Sequence, residues 1–221
     1  MGLEIEVRPD REAVAERGAE RVAELARAAI TDHGRFTFAV SGGNTPWAMF
    51  AHLAGALPWE KVTIYQVDER VAPDGDPDRN LTHILRSLPP GAAADVRAMP
   101  VSADDLDDAA AAYASSLPDP LDLVHLGLGP DGHTASLVPG DPVLDVADRD
   151  VAVTGAYQGR RRMTLTYPAL NRARHVLWLV TGEDKADAVR LLCDRDGSIP
   201  AGRVSDENAL LVADAAAAAA L

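Results

Sequence analysis

Residues 36–46 read Phe36-Thr37-Phe38-Ala39-Val40-Ser41-Gly42-Gly43-Asn44-Thr45-Pro46. The first five are apolar or β-branched and have the length of a buried strand. Two glycines then end the run. Thr45-Pro46 opens a helix, because the fixed φ of proline suits the first helical turn. Strand, glycine turn and helix in succession form the repeating unit of an α/β sheet, and the alternation continues on both sides. Upstream, Leu3–Val7 alternates as a strand. Asp10 can cap a helix from Arg11 to about Thr31, in which Val14, Val22, Leu25 and Ala29 recur at helical spacing. Downstream, strands are expected at Val62–Val67, Leu121–Leu126, His175–Val180 and Ala209–Val212, with helices at Asn80–Leu88, Ala103–Leu117 and Glu183–Cys193. Val151–Thr154 and Met163–Thr166 are shorter strand candidates. The expected fold is α/β with a mostly parallel sheet and a small antiparallel excursion near residues 140–166. No linker or internal repeat divides the chain, so one domain over residues 1–221 is expected. Ala215–Ala220 reads as a fraying helical end.

The 221 residues suffice for a sizeable core, and 47% hydrophobic with 25% charged residues is ordinary for a globular protein. That excludes a largely disordered chain, a collagen and a coiled coil. The formal net charge of −13 makes nucleic acid or an anionic membrane a poor partner. An anionic ligand would need local cations and backbone N–H groups to overcome that field. The single Cys193 can form no internal disulfide and no Cys-rich zinc module, which fits a cytoplasmic setting. No apolar run has membrane-spanning length, and the N-terminus lacks a signal-peptide apolar region.

In open α/β sheets ligands bind beyond the carboxyl ends of the strands. Four polar or glycine-rich loops follow the strong strands here and would share one rim. Ser41, Gly42, Gly43, Asn44 and Thr45 form the first, suited to an anion through close backbone approach and a helix N-terminus. It is not a Walker loop, since no Gly-Lys-Ser/Thr follows. Asp68-Glu69-Arg70 forms the second; strand alternation puts Asp68 and Arg70 on one face and turns Glu69 away. The third runs from Gly127 to Thr134. Its Gly127-x-Gly129-x-x-Gly132 spacing matches a dinucleotide fingerprint only formally, because it lies past mid-chain and holds Pro130. His133, beside Asp131 and at the expected start of a short helix, suits general-base work. Thr181 to Lys185 forms the fourth. Arg160, Arg161 and Arg162 are a cationic run in an acidic chain and a candidate anion clamp, with Arg162 the best fixed; Arg203 is a further phosphate candidate. No His-x-x-x-His spacing or other ligand set implies a metal.

Taken together, five segments resemble the 6-phosphogluconolactonases, relatives of the glucosamine-6-phosphate deaminases. They are Ser41-Gly-Gly-Asn-Thr-Pro46, Asp68-Glu-Arg70 with Pro73 and Asn80, Gly127-Leu-Gly-Pro-Asp-Gly-His-Thr-Ala-Ser-Leu-Val-Pro139, Arg162-Met-Thr-Leu-Thr-Tyr-Pro-Ala-Leu-Asn171, and Gly182-Glu-Asp-Lys185. The resemblance implies a Rossmann-like open sheet with helices on both faces, and neither metal nor organic cofactor. It implies hydrolysis of 6-phospho-D-glucono-1,5-lactone to 6-phosphogluconate in the oxidative pentose phosphate pathway. Carried over, His133 is the base that activates water, and Asp131 orients the imidazole or the substrate. Arg70, positioned by Asp68, stabilises negative charge on the intermediate or holds substrate oxygens. The 41–45 loop holds the phosphate or the sugar hydroxyls. The expected partner is a phosphorylated sugar lactone, and a monomer is the default expectation.

Two alternatives stay open on sequence. A deaminase of this family carries Asn-Glu-Pro where this chain has Leu137-Val138-Pro139, and Asp-Glu-Tyr where it has Asp68-Glu69-Arg70; both differences favour the lactonase. A non-catalytic sugar-phosphate binder would have no use for the intact Asp131, His133 and Arg70. One departure from the lactonases is the loss of a Lys shortly before the Arg-x-Thr segment, where this chain reads Ala156-Tyr157-Gln158-Gly159-Arg160-Arg161. Arg160 or Arg161 is expected to take over its phosphate contact.

Overall fold

The computed structural model describes residues 2–221, with elements in the order β1 (Glu4–Arg8), α1 (Arg11–His33), β2 (Phe36–Val40), α2 (Asn44–His52), β3 (Val62–Gln66), β4 (Asp68–Arg70), α3 (Asn80–Ser87), β5 (Asp95–Arg97), α4 (Leu106–Ser116), β6 (Leu123–Leu126), β7 (Val151–Val153), β8 (Arg162–Leu165), α5 (Tyr167–Arg172), β9 (Val176–Val180), α6 (Ala186–Cys193) and β10 (Ala209–Asp214). Seven strands form one sheet in the order β1-β10-β9-β6-β2-β3-β5, and every neighbouring pair is parallel. Strands β4, β8 and β7 form a separate antiparallel sheet.

Alternation along each central strand sends side chains to two cores. Phe36, Phe38, Val40, Ile64, Leu123 and Leu177 face α1 and α2, where Val14, Val22, Met49 and Phe50 meet them. Ala39, Tyr65, Val124, Leu126, Trp178 and Val180 face the other way, against Tyr113 of α4 and Val189 and Leu192 of α6. Helices therefore cover both faces, as a parallel sheet requires. Each fully buried Phe or Leu in these layers contributes roughly 2 kcal/mol of burial energy.

The strand order places the site. From β2 the chain winds outward through β3 to β5; from β6 it winds the opposite way through β9 to β10. The winding reverses between β2 and β6, and a crevice opens beyond their carboxyl ends. The loops that follow these two strands are 41–43 and 127–134.

Several expectations need correction. Asp68–Arg70 is a strand, not a loop: β3 ends, Val67 accepts a hydrogen bond from Leu165 N–H, and the chain enters the small sheet with Asp68 opposite Thr164. No helix begins at His133; a tight turn follows, with Thr134 bridged to Leu137 and Ala135 at φ 52°. The expected helix 183–193 divides into a 3-10 turn, Glu183–Lys185, and α6. Ala215–Ala220 forms turns, not helix. The Asp214 carboxylate accepts from Ala217 N–H at 2.8 Å, and Ala217 is wholly buried. The short β5 and α5 were not foreseen.

Candidate active site

At the end of β2, Ser41 N–H donates to the His125 carbonyl at 3.3 Å, so the chain stays paired to β6 until the glycines begin. Gly42 has no room for a side chain: a Cβ there would lie 2.0 Å from Asn80 Oδ1. Gly43 turns at φ 141°, a conformation that L residues rarely adopt, and α2 starts at Asn44. Thr45 Oγ1 lies 3.2 Å from Thr181 Oγ1, which ties this helix start to the loop after β9. That loop is held by Asp214, whose two carboxylate oxygens accept from Gly182 N–H at 3.1 Å. The result is a backbone cradle at a helix N-terminus, favourable for an anion.

The loop after β6 is closed by its own backbone. Gly129 N–H donates to the His133 carbonyl at 2.8 Å, and Gly132 N–H to the Gly129 carbonyl at 3.0 Å. This closure brings His133 Nδ1 to 2.5 Å from Asp131 Oδ1, and His133 N–H also donates to the same carboxylate at 3.2 Å. Partial burial works to raise the Asp131 carboxyl, but the hydrogen bonds and charge of His133 outweigh it and hold the group below its ordinary range. An anionic Asp131 fixes the tautomer: Nδ1 carries the proton it donates, so Nε2 is left as the basic nitrogen. Tyr157 packs edge-on against the imidazole, ring centroids 5.6 Å apart. Arg162 in turn lies over the Tyr157 ring, 5.0 Å from its centroid.

Strand β4 presents its residues as alternation dictates. Asp68 is buried; its Oδ2 accepts from Ser136 Oγ at 2.6 Å, and Asn80 Nδ2 donates to its carbonyl at 2.9 Å. Burial pushes the Asp68 carboxyl up, against the pull of Ser136 and the positive charge of Arg162. Arg70 donates to the Asp78 carbonyl at 2.6 Å and to Asn80 Oδ1 at 3.2 Å. Glu69, fully buried, faces away and accepts from Gln66, the N–H groups of Arg70, Asn80 and Leu81, and Arg79. It thus anchors the start of α3, and through Asn80 it fixes both Arg70 and the space over Gly42.

A cavity of about 580 Å³ occupies the crevice. Its walls include Ser41 through Thr45, Asp68, Arg70, His133 and Arg162; Asp131 stands behind His133 and is not itself in the wall. The other cations sit elsewhere. Arg160 reaches a smaller adjoining cavity, where Asp76 and Asp78 each take it at 3.2 Å. Arg161 is exposed, and only its carbonyl is engaged, by Val71 N–H at 3.0 Å. Arg203 lies over the Tyr167 ring and donates to the Leu144 carbonyl at 2.8 Å, away from the cavity. The cations brought to the main cavity besides Arg70 and Arg162 are Lys185 and Arg11. Lys185 and Asn80 both belong to the segments that resemble the lactonases, and Tyr157 lies in the stretch that departs from them, without a role assigned by sequence; Arg11 has no sequence signal of its own. Among the described residues no three His, Cys, Asp or Glu side chains are grouped to hold a metal. No helix among them is long and apolar enough to cross a membrane.

Residues 9–212 match the family model described as glucosamine-6-phosphate isomerases/6-phosphogluconolactonase. A 6-phosphogluconolactonase of Mesorhizobium japonicum is 39% identical over 207 residues, covering 88% of this chain and 84% of the relative. One of Synechocystis is 37% identical over 205 residues, covering 86% and 84%. The crystal structure of a 6-phosphogluconolactonase from Shewanella baltica superposes with a TM-score of 0.87 at 24% identity, covering 96% of this chain and 98% of the other, and so shares the fold.

Proposed function

The chain belongs to the glucosamine-6-phosphate isomerase/6-phosphogluconolactonase family, and we infer from its site that it hydrolyses 6-phospho-D-glucono-1,5-lactone with His133 as general base. It is an enzyme, a lactone hydrolase, as its 37–39% identical relatives are named. The observation that carries the residue roles is the His133–Asp131 pair, whose imidazole lines the same cavity as a glycine cradle at a helix N-terminus.

The chemistry follows from the groups present. His133 Nε2 takes a proton from water as the water oxygen attacks the lactone C1 carbonyl. Asp131 stabilises the imidazolium that forms. Negative charge moves to the carbonyl oxygen, where the Arg70 guanidinium, held by Asp78 and Asn80, can meet it. The tetrahedral centre then collapses, the C1–O5 bond breaks, and the proton on His133 passes to the departing O5. The product acid ionises in water. A lactone is an activated ester, so a base and electrostatic stabilisation suffice without an acyl-enzyme.

The phosphate belongs in the 41–45 cradle, with Lys185 and Arg162 as the cations in reach of the same cavity. This replaces the expected contact by Arg160 or Arg161. The deaminase reading has no support at residue 138: Val138 is buried and apolar where that branch carries a carboxylate.

The decisive experiment generates the lactone in situ and follows 6-phosphogluconate through a coupled dehydrogenase, above the spontaneous background. Glucosamine 6-phosphate serves in parallel, with ammonia as the readout. Turnover of the lactone alone is expected. His133→Ala should lower kcat by roughly 10²–10⁴ and leave KM nearly unchanged. Wild-type turnover in that variant would remove His133 from the mechanism.

A further inference from the structure

Buried polar groups without partners are rare; of the six such side-chain atoms among the described residues, four gather at one place, while Trp59 Nε1 and His175 Nδ1 lie apart from it. Ser41 Oγ, Arg162 Nε and both ring nitrogens of His125 are buried without a hydrogen-bond partner, and all three residues line the main cavity. Ser41 and Arg162 were expected there. His125 was not: it stands within the apolar strand Leu123-Val124-His125-Leu126 and is fully buried.

Register gives its direction. His125 pairs with Val40 of β2 and Leu177 of β9, both of which face α1 and α2. In parallel strands paired residues share a face. The imidazole is therefore on the side of the sheet where α2 begins, below the 41–45 loop. Burial pushes His125 down to about 3, so the ring is neutral, with one N–H donor and one acceptor. A leucine would fill this position without leaving a donor unsatisfied.

We propose that His125 is a substrate-binding residue, whose neutral N–H donates to a phosphate oxygen of the ligand seated in the 41–45 cradle. The proposal rests on the lactonase reading for the identity of the substrate, but not for the presence of the anion site. A neutral donor beneath a cradle of backbone N–H groups adds a fixed hydrogen bond to a charged acceptor without adding a counter-charge. Its contribution is to binding. Remote from the scissile carbonyl, it holds ground state and transition state alike, so its loss should appear in KM and not in kcat.

The test compares wild type, His125→Leu and His125→Gln in the full chain. A hydrogen bond to a charged group corresponds to roughly a tenfold or greater change in affinity. His125→Leu should raise KM for the lactone by about that factor and leave kcat within about threefold. His125→Gln, which keeps a donor, should recover part of the loss. Calorimetric titration with inorganic phosphate and with 6-phosphogluconate should show matching weakening in His125→Leu, while thermal stability stays level or rises as an unsatisfied group is removed. On wild type, imidazole ¹⁵N spectra should show the His125 signals move on adding phosphate. Unchanged KM and phosphate affinity in His125→Leu would overturn the proposal. So would weakening for 6-phosphogluconate but not for inorganic phosphate, since the contact would then be to a hydroxyl. If His125→Leu does not fold, an unmoved His125 signal in wild type refutes the idea on its own. Phosphate binding needs no turnover, so a wild type inactive on the lactone would refute the lactonase reading separately.

Discussion

Gly129→Ala isolates the geometry of the proposed catalytic pair, His133 and Asp131, from its chemistry, because it removes no functional group. The backbone at Gly129 is one that alanine can adopt, but a Cβ there would lie 2.0 Å from His133 Nδ1, 2.2 Å from its Cε1 and 2.7 Å from Asp131 Oδ1. The imidazole must retreat by roughly 1.4 Å to regain van der Waals separation. It cannot do so and keep its 2.5 Å bond to Asp131. A displacement of about 1 Å at a reacting group costs on the order of 10² in rate, and loss of general-base function costs up to about 10⁴. A fall in kcat of roughly 10²–10³ is therefore expected. Stability should change little. Alanine narrows the unfolded ensemble by about 0.4–1 kcal/mol, which offsets most of a lost hydrogen bond worth about 1 kcal/mol. The coupled lactone assay gives kcat, and thermal unfolding gives Tm, expected to stay within about 4 °C. Gly197→Ala is the control, since nothing lies within 4 Å of the Cβ it would gain. Near-normal kcat in Gly129→Ala, with Tm unchanged, would refute the claim that the His133–Asp131 arrangement drives hydrolysis.

Lys185→Ala should raise KM roughly tenfold or more through loss of a charged phosphate contact, whereas Arg161→Ala should leave it within about twofold; steady-state kinetics on the lactone separates the two. Asp131→Asn should change the acid limb of the stability profile. The Asp131 carboxyl is lowered on folding, so its contribution is present above the unfolded value of 3.8 and fades as pH falls through the lower folded value. Unfolding curves of wild type and variant should thus differ by a constant above that value and converge below it. Glu69→Ala leaves Arg79, 2% exposed, without its buried carboxylate and α3 without its anchor. It should cost about 3–5 kcal/mol, read as a drop in Tm of at least roughly 6 °C.

Features of the site that depend on short-range backbone demands were legible in the sequence. The glycines of 41–45 and 127–132 announce turns, and the histidine and aspartate between them face each other over two residues. Features that depend on distant partners were not. Asp68–Arg70 was read as a loop because its ladder partners, Arg162 to Thr164, lie far along the chain. Alternation still gave the right faces, since it needs only that the segment be extended. Glu69 was seen to turn away, but its function as anchor depends on where α3 begins. His125 was concealed by its neighbours: an apolar strand with one histidine reads as core, and only the sheet register shows which face that residue takes.

The three arginines of the cationic run take different places. With a formal net charge of −13, several surface arginines of this chain pair with carboxylates, although Arg161 has none within salt-bridge distance among the described residues. Arg160 is taken by Asp76 and Asp78, and Arg172 by Asp119 and Asp150. A surface guanidinium so paired must give up one anion to bind another, and gains little. Arg162 differs in being buried at 5% exposure, with burial acting to lower its basicity and the charge of Asp68 acting to restore it. Its Nε is left without a partner in the cavity wall. In an acidic protein, then, an arginine shielded from surface acids keeps a donor available to the cavity it lines. Burial, which sequence charge does not report, separates Arg162 from Arg160 and Arg161.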